Sequence, residues 1–232
     1  MMSAPIDPVL EELVTAALPH VAFDGWSEST FQAAASDAGI DLQRAKSICP
    51  RGATGLAIAY HRRGDAAMVA AIKAADMQGM RFRDKVALAI RLRLSVIDDK
   101  EAVRRGTTLF ALPHMAADGA KLIWGTADAI WEALGDTSRD ANWYTKRLTL
   151  SGVYSAVVLY WLGDDSLDGQ ATDSFIDRRI DNVMQFEKLK AQVRANALLK
   201  PLTGPLGRAM AAVKAPSSTI DPDLPGIWRD PT

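Results

Sequence analysis

Val86-Ala87-Leu88-Ala89-Ile90-Arg91-Leu92-Arg93-Leu94-Ser95-Val96 is the segment at which two fold classes compete. Its larger apolar residues fall at every second position, the spacing of a β-strand with one buried face. No second strand candidate accompanies it, and a solitary strand would leave its backbone N–H and C=O groups unpaired. The segment is therefore read as helix, and with it the whole chain as all-α.

Outward from this segment, helical spacing holds on both sides. Towards the N-terminus a long helix is expected from about Ala53 to Met77. Val9, Leu13 and Leu18 place a first helix over 8–18, with Pro8 early, where proline is tolerated. Between them, Gly25-Trp26-Ser27-Glu28-Ser29-Thr30-Phe31 opens a second helix with Ser27 as N-cap, and Gly39 closes it. Asp41 then caps a short third helix that Pro50 and Gly52 stop. Towards the C-terminus, Ala120, Ile123, Trp124, Ala127, Ile130, Trp131 and Leu134 share one face of a helix ended by Gly135. Thr137-Ser138-Arg139-Asp140 has the form of a capping box and starts the next helix. From Leu148 that helix is apolar nearly all round, which suits the core or a subunit interface. Ile176, Ile180, Val183, Phe186, Leu189 and Val193 form the stripe of a helix over about 170–194.

Four parts are expected: a helix–turn–helix segment over 1–52, a larger helical body over 53–195, an amphipathic basic helix within 196–214, and a flexible tail over 215–232. In the third part Leu198, Leu202, Leu206, Met210 and Val213 share one side, and Lys200, Arg208 and Lys214 the other. Pro205 interrupts it, so the regular part begins there with Thr203 or Gly204 as cap. Basic on one side and apolar on the other, this piece suits the surface of an anionic membrane or docking on the body.

Charge excludes some functions. The net charge of −1 argues against a grip on nucleic acid by the whole molecule. Residues 1–60 carry seven acids against three bases, 61–105 eleven bases against six acids, and 188–214 six bases and no acid. The two ends therefore meet different partners. Cys49 stands alone, which rules out an internal disulfide and fits a reducing compartment. The N-terminus carries acids where a leader peptide carries bases, so no targeting segment is expected. The longest uncharged run, Leu148 to Gly163, falls short of the roughly 20 apolar residues that span a bilayer.

Catalytic and metal signatures are not found. His20, His61 and His114 stand far apart, and no metal-ligand spacing joins them. Asp164-Asp165-Ser166-Leu167-Asp168-Gly169 begins like a calcium loop, but Phe175 occupies the position that requires Glu. It reads better as a helix-to-helix turn. Cys49 before Pro50 reads as a buried small residue, and no nucleotide cradle or nucleophile elbow appears. No metal, cofactor or catalytic residue is therefore assigned.

The N-terminal pattern resembles the DNA-binding part of TetR-type repressors, with Trp26 and Phe31 as core and Gly39 as the turn. A DNA reader needs cations for the phosphates, and this segment is net acidic with Asp41 opening the would-be recognition helix. Asp136-Thr137-Ser138-Arg139-Asp140-Ala141-Asn142-Trp143-Tyr144-Thr145-Lys146-Arg147 clusters aromatic, amide and basic groups at a helix start. It is either a well-capped helix with two core aromatics or a protein-contact patch, because Trp, Tyr and Arg carry interface energy.

Together Gly25-Trp26-Ser27, the block at 136–147 and Asp173-Ser174-Phe175-Ile176-Asp177-Arg178-Arg179-Ile180 resemble the coenzyme Q nine family of ubiquinone-biosynthesis accessory proteins. The likeness spans about residues 20–195, and the missing leader suggests a bacterial member. It implies a TetR-like helical bundle that has lost DNA binding and pairs as a homodimer. It implies a pocket for isoprenoid quinone intermediates or phospholipid, docking to a ring hydroxylase, and no catalysis of its own. A pocket lined by Trp124, Trp131, Tyr154, Val158 and Trp161 would offset the cost of taking a polyprenyl chain from a bilayer, ~0.8 kcal/mol per CH₂. Asp140, Asn142, Trp143, Tyr144, Lys146 and Arg147 would dock the hydroxylase, and the helix at 198–213 would touch the membrane. The expected location is the cytoplasm, peripheral on the inner face of the cytoplasmic membrane. The alternative is a ligand-responsive transcription regulator using the same pocket as an effector site.

Overall fold

The computed structural model describes residues 7–195, with side chains through residue 185. Nine α-helices follow one another in these residues: α1 (Pro8–Asp24), α2 (Glu28–Asp37), α3 (Leu42–Ile48), α4 (Gly52–Ala74), α5 (Phe82–Ser95), α6 (Lys100–Phe110), α7 (Ala116–Ala133), α8 (Ala141–Leu162) and α9 (Gln170–Ala195). A 3₁₀ turn, Leu167–Gly169, precedes the last. The described residues contain no strand.

The contested segment is helix α5, and its buried side chains explain why. Val86, Ala87, Ala89, Ile90, Arg93 and Leu94 are buried, which is a helical i, i+3, i+4, i+7 stripe. The strand-like alternation arises from counting only the large residues. The buried face uses two alanines and an arginine, while Leu88 and Leu92 are half-buried.

Local signals set the ends of the N-terminal helices. Ser27 accepts a hydrogen bond from the Thr30 N–H at 3.3 Å, and Asp41 accepts from Gln43 and Arg44. Gly39, with φ +64°, follows α2 in the left-handed conformation that glycine tolerates. The first helix is longer than 8–18 predicts: it continues through Pro19 to Asp24 and ends at Gly25, φ +64°.

One expectation requires correction, and one helix carries no expectation from the sequence. The cap of α8 is Asp140, which accepts from the Asn142 N–H at 3.0 Å, and Thr137 and Ser138 lie in the preceding loop. That loop is held by the Asp136 carboxylate, which takes both the N–H and hydroxyl of Ser138. Helix α6 had no expectation, although Asp99 caps it by accepting from Ala102 at 2.9 Å.

Two cores share the 23-residue helix α4, about 34 Å long. Its first half joins α1, α2 and α3 around Leu13, Val14, Phe31, Ala34 and Leu56. Its second half joins α5, α7, α8 and α9 around Met68, Ile90, Ile130, Val157 and Ile176. Val103 of α6 packs against both cores. The stripe expected on α9 is seen at Ile176 and Ile180, whereas the side chains of Phe186, Leu189 and Val193 lie outside the described set. Leu198, Leu202, Leu206, Met210 and Val213, with the tail over 215–232, lie outside the described residues.

Candidate functional site

Where the two cores meet, α4, α5, α6, α7 and α8 leave a cavity of about 400 Å³. Its apolar wall comes from Trp26, Val96, Ile97, Val103, Phe110, Leu122, Ile123 and Val158. Small residues on α6 and α7 make the space: Gly106, Ala116, Gly119 and Ala120 line it. Gly119 has a second reason, since a Cβ there would stand 2.9 Å from the Phe110 Cβ, so glycine allows α6 and α7 their close approach. Ala111, Ala116, Ala120 and Leu159 are lining residues that are also exposed, and they mark an opening between α6, α7 and α8. The volume lies within the range of small-molecule sites.

One wall is polar and closely bonded. Arg93, 3 % exposed, donates from Nε to Asp65 at 2.8 Å and from a terminal nitrogen to the His61 carbonyl at 3.0 Å. The Thr126 hydroxyl donates to Asp65 at 2.9 Å and meets His61 Nε2 at 2.8 Å. Burial pushes the His61 imidazole below its ordinary pKa, against the opposing pull of Asp65. Neutral His61 therefore suits the enclosed site. Nearby, Tyr60 donates to Asp98 at 2.8 Å, and Trp26 Nε1 donates to the Ala102 carbonyl at 3.1 Å.

The five residues expected to line one pocket are divided. Tyr154 and Val158 line the large cavity. Trp131 lines a second hollow of about 240 Å³ with Phe82, Val86, Leu150 and Ile180, and stacks on Phe82 with ring centres 5.4 Å apart. Trp124 packs against Trp143 and Tyr144, at 5.9 and 6.4 Å. Trp161 lies beneath the Lys100 ammonium, 5.2 Å from its ring. Trp26, Tyr60, Arg93 and Phe110 line the cavity without having been foreseen.

The 136–147 block is a capped helix start, but its two aromatics are not core residues: Trp143 is half-buried and Tyr144 exposed. Arg147 is 2 % exposed, pairs with Asp128 at 2.5 Å and Asp136 at 3.1 Å, and stacks over the Trp143 ring at 4.0 Å. Its side chain is a strut between α7 and α8 and is not presented to solvent. Lys146 also pairs with Asp136, at 2.8 Å, and is half-buried. Burial alone would raise the Asp136 carboxyl, but hydrogen bonds from Lys146, Ser138 and Arg147 outweigh it and hold the pKa at about 2. Asp140 and Asn142 are exposed and bonded to each other at the helix start. Tyr144 is exposed, at the edge of an aromatic cluster formed with Trp124 and half-buried Trp143.

The histidines serve separate local roles. His20 meets Asp37 at 2.7 Å, His61 joins the buried network and His114 is exposed. Asp164 takes the Ser166 N–H and the Thr172 N–H and hydroxyl, which makes the calcium-like stretch a helix-connecting turn. Among the described residues no helix is long and apolar enough to cross a membrane.

Fold and cavity together define a TetR-like helical protein with an internal apolar site. A TetR transcriptional regulator from Nitrosomonas europaea ATCC 19718 superposes with a TM-score of 0.62 at 18 % identity, over 75 % of this chain and 97 % of that one. Residues 116–187 match the COQ9 family model, and over that stretch the resemblance to coenzyme Q nine proteins is borne out. The probable ubiquinone biosynthesis protein coq9, mitochondrial, of Dictyostelium discoideum is 33 % identical over 120 residues, 50 % of this chain and 38 % of that protein. Human ubiquinone biosynthesis protein COQ9, mitochondrial, is 30 % identical over 125 residues, 53 % of this chain and 38 % of that protein. The Drosophila melanogaster protein is 25 % identical over 194 residues, 82 % of this chain and 59 % of that protein. The matched segment thus spans less than two thirds of these relatives' own length.

Proposed function

We propose that this protein is a non-catalytic lipid-binding accessory of ubiquinone biosynthesis, which holds an isoprenoid quinone intermediate and presents it to a ring hydroxylase. The observation that carries the proposal is the cavity of about 400 Å³, apolar on most sides and open between α6, α7 and α8. Its mouth and the Trp124–Trp143–Tyr144 cluster both involve α7 and α8, so a ligand held in one is carried by the same helices as a partner bound at the other. The relatives named as ubiquinone biosynthesis proteins support the pathway. A homodimer fits the exposed side of α8, where Leu148 is 66 % exposed and Gly152 faces open space. Peripheral attachment to the inner face of the cytoplasmic membrane, through Leu198 to Val213, rests on the sequence pattern.

Two experiments test this reading. Calorimetric titration of the whole chain with decylubiquinone should show saturable binding, and Ala120→Trp, which plugs the mouth from an exposed position, should weaken it at least about tenfold. Equal binding by the plugged variant would place the ligand elsewhere. Tyr144→Ala removes an exposed ring, so the melting temperature should hardly change while hydroxylase capture falls at least about fivefold. Undiminished capture would remove the aromatic cluster from the docking surface.

A further inference from the structure

We propose that the cavity recognises an oxygen atom of its guest, with the Tyr154 hydroxyl donating a hydrogen bond to a carbonyl-type acceptor on the ring or head of the bound amphiphile. This deepens the lipid-binding reading and rests on it. Tyr154 is 2 % exposed and lines the cavity, yet its hydroxyl makes no hydrogen bond among the described residues. Trp131 Nε1, Ser151 Oγ and Arg179 Nε are the enclosed polar atoms without a partner among the described residues, so the Tyr154 hydroxyl borders accessible space, where a guest can meet it. A wholly apolar guest would leave it without a partner. A guest with an acceptor oxygen would complete it.

The surroundings favour an acceptor. Burial pushes the Tyr154 hydroxyl up to about 12, so it carries its proton at neutral pH. Asp65, the nearest carboxylate of the buried network, is turned to Arg93 and Thr126 and does not compete for that proton. Arg93 is fixed by Nε and one terminal nitrogen, and its other terminal nitrogen makes no hydrogen bond among the described residues. The free terminal nitrogen of Arg93 and the Tyr154 hydroxyl are both donors on this wall, which suits an acceptor oxygen.

Two probes separate this anchor from apolar filling: 4-hexylacetophenone, and 1-hexyl-4-isopropylbenzene, in which a methyl group replaces the carbonyl oxygen. Equilibrium dialysis against the whole chain should show the ketone binding on the order of tenfold more tightly. Tyr154→Phe deletes only an oxygen that bonds to no described protein group, so the fold should be kept, as circular dichroism would verify. In that variant the ketone should fall to the hydrocarbon's affinity, with the hydrocarbon unchanged. Val158→Ala should weaken both probes alike. Equal affinities in the natural protein, or a preference for the ketone surviving in Tyr154→Phe, would overturn the anchor and leave the cavity as a lipid site. Failure of both probes to bind would overturn the lipid-binding reading and the anchor with it.

Discussion

Replacing Arg147 by Met is expected to cost about 3–5 kcal/mol of folding stability, because it removes the buried guanidinium that bridges the Asp128 and Asp136 carboxylates. Arg147 and Asp136 are 2 % and 3 % exposed as side chains, and the guanidinium also reaches Asp128 and the Trp143 carbonyl. Lys146 and Ser138 remain on Asp136 but cannot bridge α7 to α8. Arg147→Lys should recover only part of the loss, since an ammonium cannot span both carboxylates and stack on Trp143. Urea denaturation at pH 7 reads this directly, and a loss below about 1 kcal/mol would contradict it. The pH dependence has a fixed sign. The Asp136 pKa lies below its unfolded value, near 2 against 3.8, so its contribution is complete above about pH 4 and lost as pH falls through 2. The natural protein should therefore weaken more steeply than Arg147→Met between pH 4 and 2.

Gly64→Ala gives a prediction opposite in sign to helix propensity. In an exposed helix interior the change stabilises by roughly 1 kcal/mol. Here, in α4, the new Cβ would stand 2.6–2.8 Å from the Arg93 guanidinium, closer than such atoms approach. That guanidinium is buried and bonded to Asp65 and the His61 carbonyl, so moving it breaks a charged network. A net loss of about 2–3 kcal/mol is expected, with weaker binding of any cavity ligand. A thermal melt showing a gain would mean that Arg93 shifts at little cost.

The helix-start signals read from the sequence are local, and most held. Ser27 and Asp41 bond to N–H groups two or three residues on, so sequence neighbours suffice to identify them. Asp99 carried the same signal for α6 and passed unnoticed beside the apolar run of α5. At 136–147 the nearest signal misled, because Asp136 draws Ser138, Lys146 and Arg147 to itself and moves the cap to Asp140. Helical register could have shown that Arg147 points inward: with Leu150 and Tyr154 it forms an i, i+3, i+7 stripe, and all three are buried.

The cavity was harder to read because its lining comes from separate helices. Trp26 and Val158 share it from opposite ends of the described chain, and much of the space is made by Gly and Ala, which carry no signal as ligand contacts. Large aromatics drew the sequence-based pocket elsewhere. Trp124 and Trp131 are seven positions apart on α7, about 10 Å along the axis. That distance is enough to put one in the aromatic cluster with Trp143 and the other against Phe82.

Organic extraction of the whole protein, purified from a host that makes prenyl quinones and analysed by mass spectrometry, tests the central claim most directly. A prenylated quinone or its precursor should be recovered in amounts comparable to the protein, and Ala120→Trp should lose most of it. Protein that yields no prenyl lipid or phospholipid, with the plugged and natural forms alike, would contradict the account.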